Sequence, residues 1–184
     1  TNDGDDDSNA ATSTITVVPA NDAPALTLDD NNSSGGADDD NFEVTFTEDG
    51  GAVTVTDGDA AITDVDDTEM ATLNLTWAGV LDGNAETITI AGTTFTQGTS
   101  NTTTVTETTV FQVVYTSAGG GGTFALTKNG GGDMPIADMN TLIRGITYNN
   151  SDQDPDDGGT RTLAFITNDG DDDSNAATST ITVV

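Results

Sequence analysis

The first and last eighteen residues of this 184-residue chain are identical. Residues 1–18 and residues 167–184 both read TNDGDDDSNAATSTITVV, at an offset of 166 residues. Such identity is not a chance match, and self-similarity at a fixed period is the sequence signature of repeat architectures. The simplest interpretation is a tandem array with a 166-residue period, of which this chain contains slightly more than one unit.

This interpretation divides the chain into three parts. Residues 1–18 are predicted to be the last strand of the preceding repeat, residues 19–24 the inter-repeat linker, and residues 25–184 one complete unit. The alternative is a flanking strand duplicated within a single domain, which is the weaker hypothesis because a strand without its partners buries no core. The N-terminus lacks the basic and apolar regions of a signal peptide, and we expect the chain to be a piece of something longer.

The composition excludes several classes of function. The chain has 3 basic and 32 acidic residues, a net charge of −29, and neither histidine nor cysteine. Disulfide scaffolds, zinc fingers and catalysis by cysteine or histidine are therefore excluded. Three cations cannot form the basic patch that nucleic acid requires, so no nucleic-acid partner is predicted. Acid pairs are too numerous to single one out, so no enzyme activity is predicted, and without a run of 18 apolar residues no transmembrane segment is predicted.

Apolar side chains recur with the period of two that is typical of half-buried strands. Residues 42–46 and 73–77 show this alternation, and Asp-Gly and Asn-Gly turn signals separate the runs. These short strands predict an all-β sandwich. One segment differs, because Ile136, Met139 and Ile143 fall at helical spacing; we predict one short helix over residues 136–144.

The acidic residues are concentrated in the predicted loops, in clusters at residues 3–7, 57–59, 64–67, 152–157 and 169–173. Carboxylates on alternate residues of a loop can converge on one ion, and Ca²⁺ takes six to eight oxygen ligands in flexible geometry. Zinc and copper are disfavoured without histidine or cysteine. The sequence therefore predicts Ca²⁺ at one or more of these loops, although a solvated acidic turn is the alternative for any single cluster.

Four segments together resemble a known family. Residues 18–24 (VPANDAP) resemble the NDAP linker of bacterial cadherin-like and immunoglobulin-like repeats, which occur in giant surface adhesins. Residues 46–50 (FTEDG) are similar to the acidic turn of those repeats, residues 61–67 (AITDVDD) to their DxD loop, and residues 145–170 to their closing strand pair. Any one motif is weak, but the four occur in the family's order.

The resemblance implies a Greek-key β-sandwich with calcium held near the junctions between repeats. The ligands it implies are Asp22 of the linker, Glu48 and Asp49 of the acidic turn, and Asp64 and Asp66 of the DxD loop, with Asn21 supplying a carbonyl oxygen. We add Asp169 and Asp171 as candidate ligands from their spacing before the last strand.

The expected function is a calcium-stiffened structural repeat of an extracellular adhesin stalk or fibre, acting as a spacer in cell-surface adhesion. Its expected partners are neighbouring copies of the same repeat and a cell-surface or glycan target. One alternative is a self-assembling filament or surface-layer subunit joined by strand exchange, in which residues 1–18 complete a neighbour's sheet. A second alternative is a sugar-binding adhesin domain.

Overall fold

The computed structural model describes residues 1–2, 4–36 and 40–184 of the chain. Its regular elements are short strands, one 3₁₀ turn (Gly83–Ala85) and one α-helix, α1 (Ile136–Arg144). In chain order the strands are β1 (Ala25–Thr27), β2 (Phe42–Phe46), β3 (Val53–Thr54), β4 (Ala61–Thr63), β5 (Glu69–Met70), β6 (Thr72–Ala78), β7 (Glu86–Ile90), β8 (Thr93–Thr96), β9 (Asn101–Thr106), β10 (Val110–Ala118), β11 (Gly121–Lys128), β12 (Met134–Pro135), β13 (Thr147–Asn150), β14 (Thr160–Asn168) and β15 (Ala177–Val183).

The larger sheet has seven strands in the order β2-β15-β14-β6-β11-β10-β9. Its pairs are antiparallel except that β15 runs parallel to β2. The strands β9, β10 and β11 follow one another as hairpins, while β6 lies beside β11 and reaches β9 only through β7 and β8 of another sheet. This order is a Greek key.

A four-stranded sheet, β3-β13-β7-β8, faces the larger one, and the pairs β1-β4 and β12-β5 complete the fold. Aromatic rings from the two sheets meet edge to face between them: Phe46 with Tyr148 at 5.4 Å, and Phe95 with Phe124 at 5.3 Å. Such contacts add to the apolar burial that holds sandwich layers together. The predicted all-β sandwich is confirmed.

The helix α1 is also confirmed, with the bounds that the spacing of its apolar residues predicts. Its buried side chains are Met139, Leu142 and Ile143, and Ile136 packs against the core at its start. Pro135 precedes the helix and Gly145 follows it, so neither lies in the helix interior, where both are unfavourable. The apolar stripe of the helix is core.

Charge is almost absent from the sheets. The side chains of the seven-stranded sheet that point away from the core are mostly Thr, Ala and Asn, and Glu43 is the one carboxylate among them. The other acidic residues lie mainly in loops at the strand ends. This separation lets the apolar faces pack without burying like charges, because carboxylates are rarely buried unless they are paired.

One buried cation, the guanidinium of Arg161, lies between the two sheets. Arg161 of β14 is fully buried, and its Nη2 lies 3.1 Å from Glu86 Oε1 of β7 and 2.7 Å from Asp82 Oδ2. Its Nη1 donates to the carbonyls of Asp156 (2.6 Å) and Gly159 (3.0 Å). The guanidinium therefore joins the two sheets and the loop that leads into β14.

Other groups besides Arg161 donate hydrogen bonds to the carboxylate of Glu86. The hydroxyl of Tyr148 donates to Glu86 Oε2 at 2.9 Å, and the amides of Leu81 and Asp82 donate to Oε1. Burial and the charge of Glu86 raise the pKa of the Tyr148 hydroxyl, which therefore remains a donor at any physiological pH. The buried negative charge is thus fully hydrogen-bonded.

The N-terminal segment lies outside this core. Every described residue from Thr1 to Ala23 is exposed, including Ile15, Val17 and Val18, and burial begins at Pro24. The described residues among 1–18 form no strand here, so the assignment of this segment to a preceding repeat stays a prediction. In the described part of the chain, no helix combines the length and the apolar character that a bilayer crossing requires.

We expect Arg161→Met to lower the free energy of unfolding by about 3–5 kcal/mol, because it leaves Glu86 buried without its counter-charge. Urea unfolding measures the loss. The matched control is Lys128→Met, which removes the same charge but only a hydrogen bond to the Asp133 carbonyl, worth about 1 kcal/mol. Equal losses in the two variants would contradict a special role for the buried pair.

Candidate metal centre

The loop after β4 folds around the side chain of Asp64. Its Oδ1 accepts hydrogen bonds from the backbone amides of Asp66 (3.0 Å) and Asp67 (2.9 Å), as Asp side chains often do in turns. This turn brings carboxylate oxygens of all three residues within 4.8 Å of one another. A short local motif therefore concentrates three negative charges.

The loop before β15 repeats the same arrangement. Asp169 Oδ1 accepts from the backbone amides of Asp171 (2.7 Å) and Asp172 (2.8 Å). The two loops are neighbours, since the amide of Ala71, shortly after the first loop, donates to the carbonyl of Asn168 at 2.8 Å. The strand order explains this contact, because β6 and β14 pair along their lengths.

The linker joins both loops. The Asn21 side chain donates from Nδ2 to Asp169 Oδ2 (3.0 Å) and to Asp172 Oδ2 (3.2 Å), and the amide of Asp22 lies 3.4 Å from Asp66 Oδ1. Asn21 thus presents its nitrogen, not its oxygen, to the carboxylates. We name the resulting group the junction cluster; its members are Asn21, Asp22, Asp64, Asp66, Asp67, Asp169, Asp171 and Asp172.

The electrostatics of the junction cluster differ from residue to residue. Partial burial and the charges of Asp66, Asp64, Asp169 and Asp171 raise the pKa of Asp67. The amide of Asp67 holds the pKa of Asp64 below its usual value, and the hydrogen bond from Asn21 does the same for Asp169. Crowding is therefore relieved by hydrogen bonds at two carboxylates but not at Asp67.

One oxygen of the junction cluster has no partner. Asp64 Oδ2 is buried and accepts no hydrogen bond, a situation shared in the described residues only by Trp77 Nε1 and Ser179 Oγ. A buried carboxylate oxygen without a donor is costly, and a cation is one way to satisfy it. The groups nearest to it are the carboxylates of Asp66 and Asp67, whose oxygens are ligands that fit a hard cation such as Ca²⁺.

The structure brings six of the eight predicted ligands together and places the other two elsewhere. Glu48 and Asp49 lie at the end of β15, where the amide of Glu48 donates to the carbonyl of Val184 at 3.1 Å. The junction cluster lies at the start of β15, and a seven-residue strand spans roughly 20 Å. We call the end of the molecule that carries Glu48 and Asp49 the exit end, and the end that carries the junction cluster the linker end.

The acidic loop at residues 152–157 also lies at the exit end. Gln153 Nε2 approaches Asp49 Oδ1 at 3.5 Å, and β14 begins beside the last residues of β15. The exit end therefore carries its own concentration of carboxylates beside the last residue of the chain.

A further acidic group combines the predicted cluster at residues 57–59 with Asp29, which was not predicted to join it. Asp29, Asp57 and Asp59 bring carboxylate oxygens within 4.8 Å of one another. Asp29 is fully buried, but its oxygens accept from the amides of Ser33 (2.9 Å) and Ser34 (2.8 Å). Burial alone would raise the pKa of Asp29, and these hydrogen bonds outweigh it and lower the pKa. This group is satisfied by the chain's own donors.

The acidic turn at residues 3–7 repeats the sequence of the turn before β15. Asp3 lies outside the described residues, and the remaining turn is exposed. At the second copy, the linker and the DxD loop complete the junction cluster. The described residues of the first copy are exposed instead.

Comparisons with known proteins add no relative. A scan against protein-family models, a search of curated proteins and a search of solved structures each found no match. The resemblance to cadherin-like repeats therefore stays a prediction.

We expect Asp67→Asn to raise the melting temperature of the protein in EDTA at neutral pH, because it removes a repelled charge. The pKa of Asp67 is raised, so this charge destabilises the fold only where the carboxyl is ionised. The advantage of the variant should be absent at low pH, appear as the pH rises above the ordinary value of 3.8, and reach its full size above the raised pKa.

Thermal unfolding across this pH range measures the difference between the variant and the wild type. Glu43→Gln is the matched control, since it removes the same charge from the exposed sheet face. A gain of equal size in both variants would mean that net charge, and not crowding at the junction cluster, is responsible.

Proposed function

We propose that this chain is a structural repeat unit of an extracellular adhesin stalk or fibre, with Ca²⁺ stiffening the joints between successive units. The observation that carries the proposal is the convergence of the linker, the DxD loop and the turn before β15 on one end of the sandwich. Its role is that of a spacer in cell-surface adhesion.

The placement of Glu48 and Asp49 supports a joint between units. In an array with the 166-residue period, Val184 of one unit is followed by the linker of the next, as Val18 is followed by Pro19 here. The exit end of one unit then faces the linker end of the following unit. Glu48 and Asp49 approach the next junction cluster from the other side, so the eight predicted ligands meet across the joint.

The chemistry of this joint favours Ca²⁺. Carboxylates from both units repel one another at short range, where salt screens least. Ca²⁺ accepts six to eight oxygens, whereas Mg²⁺ requires stricter geometry and keeps several waters. Asp64, Asp66 and Asp67 would hold the ion within the unit, and its double charge would offset the raised pKa of Asp67.

An extracellular location agrees with this ion, because the calcium sites of extracellular modules bind at about 10⁻⁴–10⁻³ M. The sugar-binding alternative gains no support from the surface. The one Trp, two Tyr and six Phe of the chain are all buried, so no aromatic ring is exposed for a sugar to stack on.

We expect Ca²⁺ to raise the melting temperature of the single chain relative to EDTA, and Mg²⁺ to raise it less. An ion that binds only the folded state stabilises it by RT ln(1 + [L]/Kd), about 2.7 kcal/mol at a concentration of 100 Kd. Asp64→Asn should abolish the Ca²⁺-induced shift, measured against the variant's own value in EDTA. Glu43→Gln should retain the shift; an unchanged shift in Asp64→Asn would contradict the assignment of the site.

We expect a chain of two successive units, residues 19–184 followed by residues 19–184, to be longer and stiffer in Ca²⁺ than in EDTA. Small-angle X-ray scattering measures its maximum dimension. Replacing Glu48 with Gln and Asp49 with Asn in the first unit should remove this extension, because the exit end loses its ligands.

The same double replacement in the single chain should leave the Ca²⁺-induced rise in melting temperature intact, since the junction cluster is unchanged. Glu107→Gln in the first unit is the control for a lost charge. If the two-unit chain with altered Glu48 and Asp49 extends as the unaltered one does, the exit end takes no part in the joint.

A further inference from the structure

The position of β15 in the sheet shows what the repeated sequence does when it has partners. β15 lies between β14, to which it is antiparallel, and β2, to which it is parallel. Ala177, Ser179, Ile181 and Val183 point into the core and are buried. We call the gap between β14 and β2 that these side chains fill the β15 position.

The same residues at the N-terminus have no such place. Ala11, Ser13, Ile15 and Val17 are the counterparts of the four buried side chains, and all four are exposed. The exposed fractions of Ile15 and Val17 are 83% and 82%, against 0% and 2% for their counterparts. Ile15 and Val17 are therefore exposed to solvent, although the same residue types are buried at the corresponding positions of β15.

The described residues of the turn that opens each copy make two matching hydrogen bonds, although only one copy is packed. Asn2 Nδ2 donates to Asp7 Oδ1 at 2.7 Å and Asn168 Nδ2 to Asp173 Oδ1 at 2.9 Å. The amide of Gly4 donates to Asn2 Oδ1 at 2.8 Å, as Gly170 does to Asn168 at 2.8 Å, and both glycines have positive φ. The leading turn therefore forms without the sheet, which lowers the ordering cost of docking the strand.

We infer that residues 1–18 are a docking strand for a second copy of this chain whose own β15 is displaced, where residues 11–17 occupy the β15 position in the register of β15. Strand addition uses the backbone for affinity and alternate side chains for specificity. Because the two copies are identical, the N-terminal strand can make every contact that β15 makes. This inference rests on the chain being a repeat unit, as proposed above, but not on any bound cation.

A second copy is favoured over the strand's own sandwich. The amide of Leu26 donates to Asn175 Oδ1, so β1 starts at the linker end, whereas a docked Val17 would lie at the exit end. The chain between them would have to recross the strand length of roughly 20 Å. That path would also draw Asn21 away from Asp169 and Asp172.

Substitutions at Ile181 and its counterpart Ile15 in the whole chain test the inference. Ile181→Asp spoils β15 and leaves the N-terminal strand intact, so the spoiled strand should be replaced by that of another molecule. In EDTA, sedimentation should then show folded oligomers in multiples of 18.7 kDa that grow with concentration. Ile15→Asp, at an exposed position, should stay monomeric with an unchanged melting temperature.

The chain with both substitutions has no competent strand and should lose its cooperative unfolding transition. Adding the 18-residue peptide of residues 1–18 should restore that transition and should also shorten the oligomers of Ile181→Asp. If Ile181→Asp loses its transition as fully as the double variant, the N-terminal strand does not dock. If Ile181→Asp is folded and monomeric, the strand docks in its own sandwich, which also overturns the inference.

Register is tested by cross-linking, since the chain has no cysteine. Thr162 pairs with Thr180, whose counterpart is Thr14. In the Ile181→Asp background, a chain with Thr14→Cys mixed with a chain carrying Thr162→Cys should form a disulfide-linked dimer, because paired strand residues lie within disulfide distance. Thr12→Cys, whose counterpart pairs with Ala164, should not link to Thr162→Cys; equal yields from both would contradict the register. All arms contain EDTA, so failure here leaves the calcium proposal untouched.

Discussion

Repulsion among 32 carboxylates, opposed by only three basic side chains, governs the whole architecture. The sheets avoid it, since their buried faces are apolar and the outer face of the larger sheet carries Glu43 alone. Two carboxylates, those of Glu86 and Asp82, face the buried Arg161. The hydroxyl of Tyr148 and backbone amides also donate to Glu86. The remaining acids are gathered at the strand ends, where backbone amides reach many of them. The fold is thus apolar in its layers and highly charged at its ends.

This arrangement gives the sandwich a direction. The linker end combines Asn21 and two Asp-initiated turns, whereas the exit end carries Glu48, Asp49 and the loop at residues 152–157. The parallel pairing of β15 with β2 produces the separation, because it places the residues that follow each strand at the same end. The linker end and the exit end therefore differ in geometry, although both are acidic. In a series of units, there is only one order in which a linker end meets an exit end.

Local sequence patterns were sufficient to predict much of this fold. Period-two alternation located the strands, and the spacing of Ile136, Met139 and Ile143 gave the helix its bounds. Asp64 and Asp66 were predictable as a cluster because a turn within four residues builds it. The contact of Asp29 with Asp57 and the pairing of Arg161 with Glu86 were not, since they join residues 28 and 75 positions apart. The placement of Glu48 away from Asp64 likewise depends on strand order, which no local pattern encodes.

The scarcity of basic residues also affects how the chain can be cleaved by proteases. Proteases with trypsin-like specificity cut after Lys or Arg, and cleavage favours exposed, mobile backbone. Arg161 is enclosed in the core, Lys128 ends a strand of the larger sheet, and Arg144 closes α1 with its side chain bonded to the Ala60 carbonyl. None of the three lies on a loose loop, so the folded unit offers such enzymes no ready point of attack. A fibre built from it would resist enzymes of this specificity.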